Sequence, residues 1–332
     1  MSKLQVGVVG VGHLGRLHAS LYKQVEQTNL IGIYDLDRER AASVASEIGC
    51  AVFDSVEALI EASDALNLVV PTTQHFELAE RAIRRGKHIF IEKPITTTVD
   101  QANALIALAK AHDAKIQVGH IERFNQAMRA LRSTKVQPMF IESHRLASFN
   151  PRGTDVAVVL DLMIHDIDII LSLVDSPIER IDANGVAVVS AEPDIANARI
   201  KFENGCVANV TASRISQKKM RKMRLFERDT YVSIDLLQGI SERFSLETTF
   251  PDAEARRGIV MGKMEGQKTG YVFYERLNAP EGNALLMELE AFVDAVLHDK
   301  QPLVTAEDGC RALAVASEIS EIIKKQTDER TE

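Results

Sequence analysis

Apolar and polar residues alternate along this chain in two different rhythms, and the change falls near Arg123. In the first third, short apolar runs of strand length are separated by helical stretches. Leu4 to Val9 is the first run, followed by a helical stretch through Leu21. Leu30 to Tyr34 comes next, then an alanine-rich helix around Arg38 to Ile48, a short strand near Ala51 to Phe53 and a helix from about Ser55. Ala65 to Val70, His88 to Ile91 and Lys115 to Val118 complete the strands, with a helix from about Val99 to His112 before the last. Such alternation predicts a parallel sheet, whose ligands gather at the carboxyl ends of its strands. Beyond Arg123, strand-like runs follow one another with few helices: Pro138 to His144, Ile181 to Ser190, Ala196 to Phe202, Cys206 to Ser213, Met220 to Phe226 and Thr230 to Ile234. That pattern predicts a largely antiparallel open sheet in an α+β domain, with a face or edge that needs covering. Two amphipathic helices close the chain, from about Asn283 to Leu297 and from about Ala306 to Lys325, before a polar tail expected to fray. The expected organisation is α/β: a doubly wound parallel sheet over residues 1–122 and a second domain over 123–332.

The first strand feeds into Gly10-Val11-Gly12-His13-Leu14-Gly15, and a helix opens from that turn. Strand, glycine turn and helix in this order form the phosphate-binding unit of a dinucleotide site. Gly10 permits the tight turn, Gly12 lets the backbone approach a pyrophosphate, and Gly15 lets the helix pack on the strand. Free amides at the helix start, around His13 and Leu14, favour the anion. The second strand ends in Asp35, twenty positions after Gly15, where a carboxylate accepts hydrogen bonds from a ribose and repels a 2′-phosphate. This favours NAD over NADP, although Arg38 and Arg40 lie near enough to accommodate a phosphate. Other strand ends carry Thr72, His75, Glu92 and Lys93. His75 could equally cap or pack. Lys93, fixed between an apolar strand and Pro94, is placed to stabilise charge on a reacting oxygen, or to pair with a carboxylate such as Glu92.

Val158 to Val174 is apolar almost all round yet carries Asp161, His165, Asp166 and Asp168. On a regular helix, positions 161, 165, 168 and 172 share one stripe, so two carboxylates, an imidazole and Ser172 face the same way. Burying such groups without partners costs several kcal/mol, so the stripe needs a polar cleft or a partner. A carboxylate one turn before a histidine suits a general base; a satisfied core histidine is the alternative.

Composition narrows the partners. A formal charge of −8 argues against general nucleic-acid or membrane-surface binding. Three widely spaced cysteines form no disulfide framework or zinc pattern and fit a reducing cytoplasm. The chain enters its first strand within a few residues, and no apolar run reaches spanning length. Two basic features stand out: Lys218 to Arg224, and Arg256, Arg257, Lys263 and Lys268 within Pro251 to Gly270. They read either as a solvated strand face and a loop, or as contacts for substrate phosphates.

Gly10 to Gly15, Glu92-Lys93-Pro94 and Asp161-Leu162-Met163-Ile164-His165-Asp166-Ile167-Asp168 together resemble the glucose-fructose oxidoreductase / inositol dehydrogenase / MocA family over essentially the whole chain. The resemblance implies a Rossmann domain, a C-terminal open-sheet domain, and oxidation or reduction at a sugar or cyclitol carbon with NAD. It implies Lys93 as catalytic lysine, His165 as catalytic histidine and Asp161 as its acidic partner; many members carry glycine where this chain has Met163. Within the family, Val118-Gly119-His120-Ile121-Glu122-Arg123-Phe124-Asn125 and Ser213-Arg214-Ile215-Ser216 are similar to members that oxidise the 3-hydroxyl of UDP-N-acetylglucosamine or a related nucleotide sugar. That likeness implies Arg123 and Asn125 near cofactor and sugar, a diphosphate for the basic residues, a homodimer or homotetramer, and an aminotransferase that consumes the ketone. Free sugars, myo-inositol and a non-catalytic NAD sensor remain the alternatives. No metal is expected, because the histidine and lysine supply proton transfer and charge stabilisation.

Overall fold

A computed structural model describes residues 3–132, 134–149, 156–250, 258–265 and 269–331. The chain divides into two compact units, one of residues 1–124 and 282–314, the other of 125–281 and 315–332.

In the first unit the strands are β1 (Leu4–Val9), β2 (Thr28–Tyr34), β3 (Ala51–Val52), β4 (Ala65–Leu68), β5 (His88–Glu92) and β6 (Ile116–Gly119). The helices between them are α1 (His13–Tyr22), α2 (Arg38–Ile48), α3 (Val56–Ala62), α4 (His75–Ile83) and α5 (Val99–Ala111). All strands are parallel in the order β3-β2-β1-β4-β5-β6, the doubly wound order of dinucleotide-binding domains. The central strands are buried on both faces, which is why they read as continuous apolar runs. Side-chain caps start the helices where the sequence supplies them: Asp37 accepts from the Arg40 amide, Ser55 from Ala58 and Thr98 from Gln101.

The second unit holds α6 (Gln126–Leu131), β7 (Phe140–Leu146), α7 (Ile164–Leu173) and strands β8 (Ile178–Val186), β9 (Ile195–Phe202), β10 (Val207–Ser213), β11 (Met220–Phe226), β12 (Thr230–Asp235), β13 (Ile240–Glu247), β14 (Ile259–Met264) and β15 (Gly270–Leu277). They form one sheet in the order β14-β15-β13-β12-β11-β7-β10-β9-β8, antiparallel except for the β7/β10 pair. Strict alternation buries one face: Ala196, Ala198, Ile200 and Phe202 of β9 point inward while their neighbours do not. Part of the stretch from Pro251 to Gly270, read above as a loop, is strand β14; its weak alternation hid it. Arg256, Arg257 and Lys268 lie outside the described residues.

The domain division differs from a single cut at residue 122. Helix α8 (Ala284–Leu297) belongs to the first unit, where Leu289, Phe292 and Val293 join its core and the Phe292 ring meets Phe90 edge-on at 5.9 Å. Val304 and Thr305 then extend the edge of β6. The boundary falls inside the last helix, α9 (Ala306–Thr331), whose span extends past Lys325. A chain that returns to an earlier core leaves no local signature, because an amphipathic stripe does not say which surface it will cover. Among the described residues no helix is long and apolar enough to cross a membrane.

Candidate active site

The turn after β1 is built by two close approaches and one opening. Gly10 sits at φ +85°, and a Cβ there would lie 2.4 Å from the Val69 carbonyl oxygen; a Cβ on Gly15 would lie 1.9 Å from the Gly10 oxygen. Both positions exclude any side chain. A Cβ on Gly12 would meet nothing within 4 Å, so that residue leaves the approach open. Helix α1 starts there without a side-chain cap, and His13 and Leu14 are exposed at its first positions. Its first amides are therefore available to an anion. Asp35 ends β2 with its Oδ2 accepting from the Val11 amide at 2.8 Å and its Oδ1 from the Asp37 amide at 2.9 Å. Arg40 is held by Asp35 at 3.3 Å and Asp37 at 3.2 Å, and Arg38 donates to the carbonyls of Phe53 and Asp54. Both arginines are thus engaged by the protein's own oxygens. Gly10, Gly12, Asp35, Arg40, Val70 and Gln74 line one cavity of about 700 Å³. An uncapped helix start, an opening in the turn and a fixed carboxylate fit a dinucleotide with a free ribose.

At the neighbouring strand ends, Thr72 is half-buried and opens a short turn before α4. His75 takes a role different from the cofactor contact expected of it. It is 1 % exposed, and its Nδ1 and Nε2 stand 3.0 Å from the Pro94 oxygen and 2.9 Å from the Val70 oxygen. Burial lowers its pKa while those carbonyls oppose the shift. Both ring nitrogens lie against backbone oxygens, to one of which a neutral ring donates, so His75 packs between the loop after β4 and the loop after β5. The latter carries Glu92, half-buried Lys93 and a cis bond to Pro94. The Glu92 Oε2 accepts from the Lys93 amide at 3.2 Å. Arg123, half-buried in a short helical turn, ends this unit.

In the second unit the polar helix is not regular. Val159–Met163 forms a π-helical turn before α7, a geometry that recurs at functional sites, and it contains Asp161. Asp161 and His165 are half-buried, but Asp168 is 1 % exposed, and Ser172 is exposed with its hydroxyl donating to the Ile169 carbonyl at 2.6 Å. The expected four-residue stripe therefore contracts to Asp161 and His165. Asp166 points away from the stripe into a buried two-pronged ion pair with Arg145 of β7, at 2.7 and 3.2 Å. Upstream, Arg214 donates to the Val156 carbonyl at 2.6 Å and to Asp194 at 2.9 Å. Burial alone would raise the Asp194 pKa, but amides of Val188 to Ser190 and the Ser190 hydroxyl hold it well below the usual carboxylate range. Arg214, part of the motif whose likeness points to nucleotide sugars, is buried and holds the chain that enters the polar helix. Asn125 is likewise engaged by the fold: its Oδ1 caps α6 through the Ala127 amide and its Nδ2 donates to the Leu236 carbonyl.

Strand alternation also divides the basic run. Arg221 lies opposite Arg145 across the β11/β7 ladder, on the face shared by buried Met223 and Leu225. Lys222 and Arg224 face the other way, 3.2 Å from Asp235 and 2.8 Å from Glu142. The sequence pattern missed His18, Asn67, Arg145 and Asp194, all buried and polar. The available signal was a single polar residue inside an apolar strand or helix, as in Ala-Leu-Asn67-Leu-Val-Val. Among the described residues, no group of three or more His, Cys, Asp or Glu side chains is arranged to hold a metal ion.

This fold and glycine cradle define a nicotinamide-dinucleotide oxidoreductase scaffold. Residues 4–120 match the oxidoreductase family with an NAD-binding Rossmann fold, and residues 97–231 match the GFO/IDH/MocA C-terminal domain. A UDP-N-acetylglucosamine 3-dehydrogenase from Acidithiobacillus ferrooxidans is 38% identical over 96% of this chain and 97% of its own. A solved structure of that enzyme superposes with a TM-score of 0.87, covering 98% of this chain and 99% of the other at 35% identity. A myo-inositol 2-dehydrogenase from Thermotoga maritima is 24% identical over 93% of each chain. The chain belongs to the Gfo/Idh/MocA oxidoreductase family.

The buried ion pair beneath α7 yields a test. Asp166→Asn deprives the buried Arg145 guanidinium of its carboxylate and should lower unfolding free energy by about 3–5 kcal/mol, read from urea denaturation. A loss within 1 kcal/mol would mean that the pair is no stronger than a surface contact.

Proposed function

We propose that this protein oxidises a sugar hydroxyl to a ketone by hydride transfer to NAD, with the 3-hydroxyl of UDP-N-acetylglucosamine as the reacting group. The observation that carries this reading is the 38% identity with a UDP-N-acetylglucosamine 3-dehydrogenase across nearly the full length of both chains. Arg221, turned to the same sheet face as Arg145, would meet the substrate diphosphate in a charge-assisted contact. A ketone product of this class is a substrate for an aminotransferase, which would draw the reaction forward.

The bound nicotinamide supplies the hydride acceptor. His165 takes the hydroxyl proton, and Asp161, four positions earlier, orients the imidazole and stabilises its charged form. The Lys93 ammonium hydrogen-bonds the same oxygen and stabilises the negative charge that develops on it. Lys93→Ala and His165→Ala should each lower kcat by roughly a hundredfold or more while NAD binding persists. The assay is nicotinamide absorbance with UDP-N-acetylglucosamine, myo-inositol and free hexoses in separate wells, each with a carbonyl trap. Reduction with a polyol alone would displace the nucleotide-sugar reading, and near-normal turnover in either variant would remove that residue from the mechanism.

Preference for NAD follows from Asp35 and from the two arginines already engaged beside it. Asp35→Ser should weaken NAD binding roughly tenfold, the scale of one lost charge-assisted hydrogen bond, and narrow the gap to NADP. Titrations by nicotinamide fluorescence in which NADP binds the parent protein as well as NAD would refute the preference.

We also propose a homo-oligomer formed through the open face of the second sheet. Phe140, Phe226, Tyr231, Phe244 and Tyr274 stack across five strands with ring centroids 5.1 to 5.8 Å apart. They are flanked by Glu142 paired with Arg224 and Glu242 accepting from the Tyr274 hydroxyl. An apolar row beside residues of both signs suits a self-complementary two-fold contact. Tyr231→Glu should shift the mass measured by light scattering to that of one chain; an unchanged mass would place the interface elsewhere.

A further inference from the structure

Behind Lys93 lies a line of buried polar groups that the proposed chemistry does not use. Asn67 in the middle of β4 and His18 on the inner face of α1 are both 0 % exposed. Burying either side chain without a partner costs on the order of a few kcal/mol, so each needs a specific neighbour. Asn67 Nδ2 donates to His18 Nδ1 at 2.9 Å, and the Phe90 ring meets the imidazole edge-on at 5.5 Å. With Nδ1 accepting, the ring proton is on Nε2. That atom stands 3.2 Å from Glu92 Oε1, bent from ideal hydrogen-bond alignment. In the opposite amide orientation Nδ1 would donate to Asn67 Oδ1, and Nε2 would still stand against the Glu92 carboxylate. The other carboxylate oxygen accepts the Lys93 amide. On its far side the carboxylate rests on β6, where a Cβ on Gly119 would lie 2.8 Å from Oε1 and 2.9 Å from Oε2.

We propose that Asn67, His18 and Glu92 are positioning residues: the imidazole and Gly119 together seat the Glu92 carboxylate, which fixes the backbone at Lys93 and so aims its ammonium group at the reacting oxygen. The inference rests on the reading of Lys93 given above. None of the three residues needs to touch substrate. Their effect appears in the reacting geometry, where a displacement of about 1 Å costs up to a hundredfold in rate.

The test compares His18→Phe, which keeps a planar ring without the Nε2 proton, with His18→Gln, whose amide nitrogen restores a donor near that position. His18→Phe should lower kcat about tenfold or more with KM for the sugar and Kd for NAD within about twofold, and His18→Gln should recover most of the loss. In a Lys93→Ala background His18→Phe should have little further effect, because groups that act as a unit are not additive. If His18→Phe does not fold, Gly119→Ala presses on the same carboxylate from the other side and should also lower kcat with NAD binding retained. The relay is overturned if kcat stays within twofold in the folded variants, if glutamine fails to rescue, or if the His18→Phe loss persists in full without Lys93. Near-normal turnover of Lys93→Ala by itself would instead remove the reading on which the relay depends.

Discussion

The contact between Gly15 and the Gly10 carbonyl sets the geometry of the first unit. With no side chain at either position, α1 comes down directly on the turn that leaves β1. The helix starts without a side-chain cap, and Gly12 just before it lines the cavity beside the turn. One turn further along, the same approach brings His18 over the ends of β4 and β5, within reach of Asn67 and Glu92. A methyl group at Gly15 would therefore disturb more than phosphate binding: lifting the helix removes the buried histidine from the carboxylate behind Lys93. The phosphate cradle and the lysine loop depend on one backbone contact.

The second unit solves a different problem, holding an ionisable helix inside an apolar shell. Breaking a buried ion pair is costly even where forming it contributes little net stability, so such a pair constrains orientation more than it adds stability. Arg145 and Asp166 fix the rotation of α7, and Arg214 with Asp194 fixes the chain that enters it. Between these anchors the backbone makes one π-helical turn. Two residues, Asp161 and His165, stay half-buried while Asp166 and Asp168 are enclosed. The charges that looked alike in the sequence separate into enclosed groups, one of which holds the helix, and groups with partial exposure.

Much of this was legible in one dimension, and the reasons for the exceptions are physical. The alternation of apolar runs and helices located the strands of the parallel sheet; the central ones are buried on both faces, whereas the short edge strand β3 is exposed. The glycine turn was readable because its constraints are steric and local. Strands β13 to β15 were missed because their alternation is weak: half-buried residues run along β13, and exposed Ile259 and Met264 lie at the edge on β14. The return of α8 to the first core was invisible because it pairs residues far apart in sequence, such as Phe90 and Phe292. Arg214 and His75 look like ligand-facing residues by type. Only their buried partners, Asp194 and two backbone carbonyls, show that they hold the fold.

The basic strand shows why charge density alone is a poor guide to a binding site. Lys218 to Arg224 reads as one positive patch, but a β-strand sends successive side chains to opposite faces. Lys222 and Arg224 belong to the open face, where Asp235 and Glu142 balance them beside the aromatic row. Arg221 belongs to the face that carries Arg145. A single residue step thus divides the run between the two faces of the sheet. On the open face the carboxylates of Asp235 and Glu142 offset the charge of Lys222 and Arg224 and limit like-charge repulsion there. The same alternation that builds the sheet turns Arg221 away from those pairs, so the run does not form one positive surface.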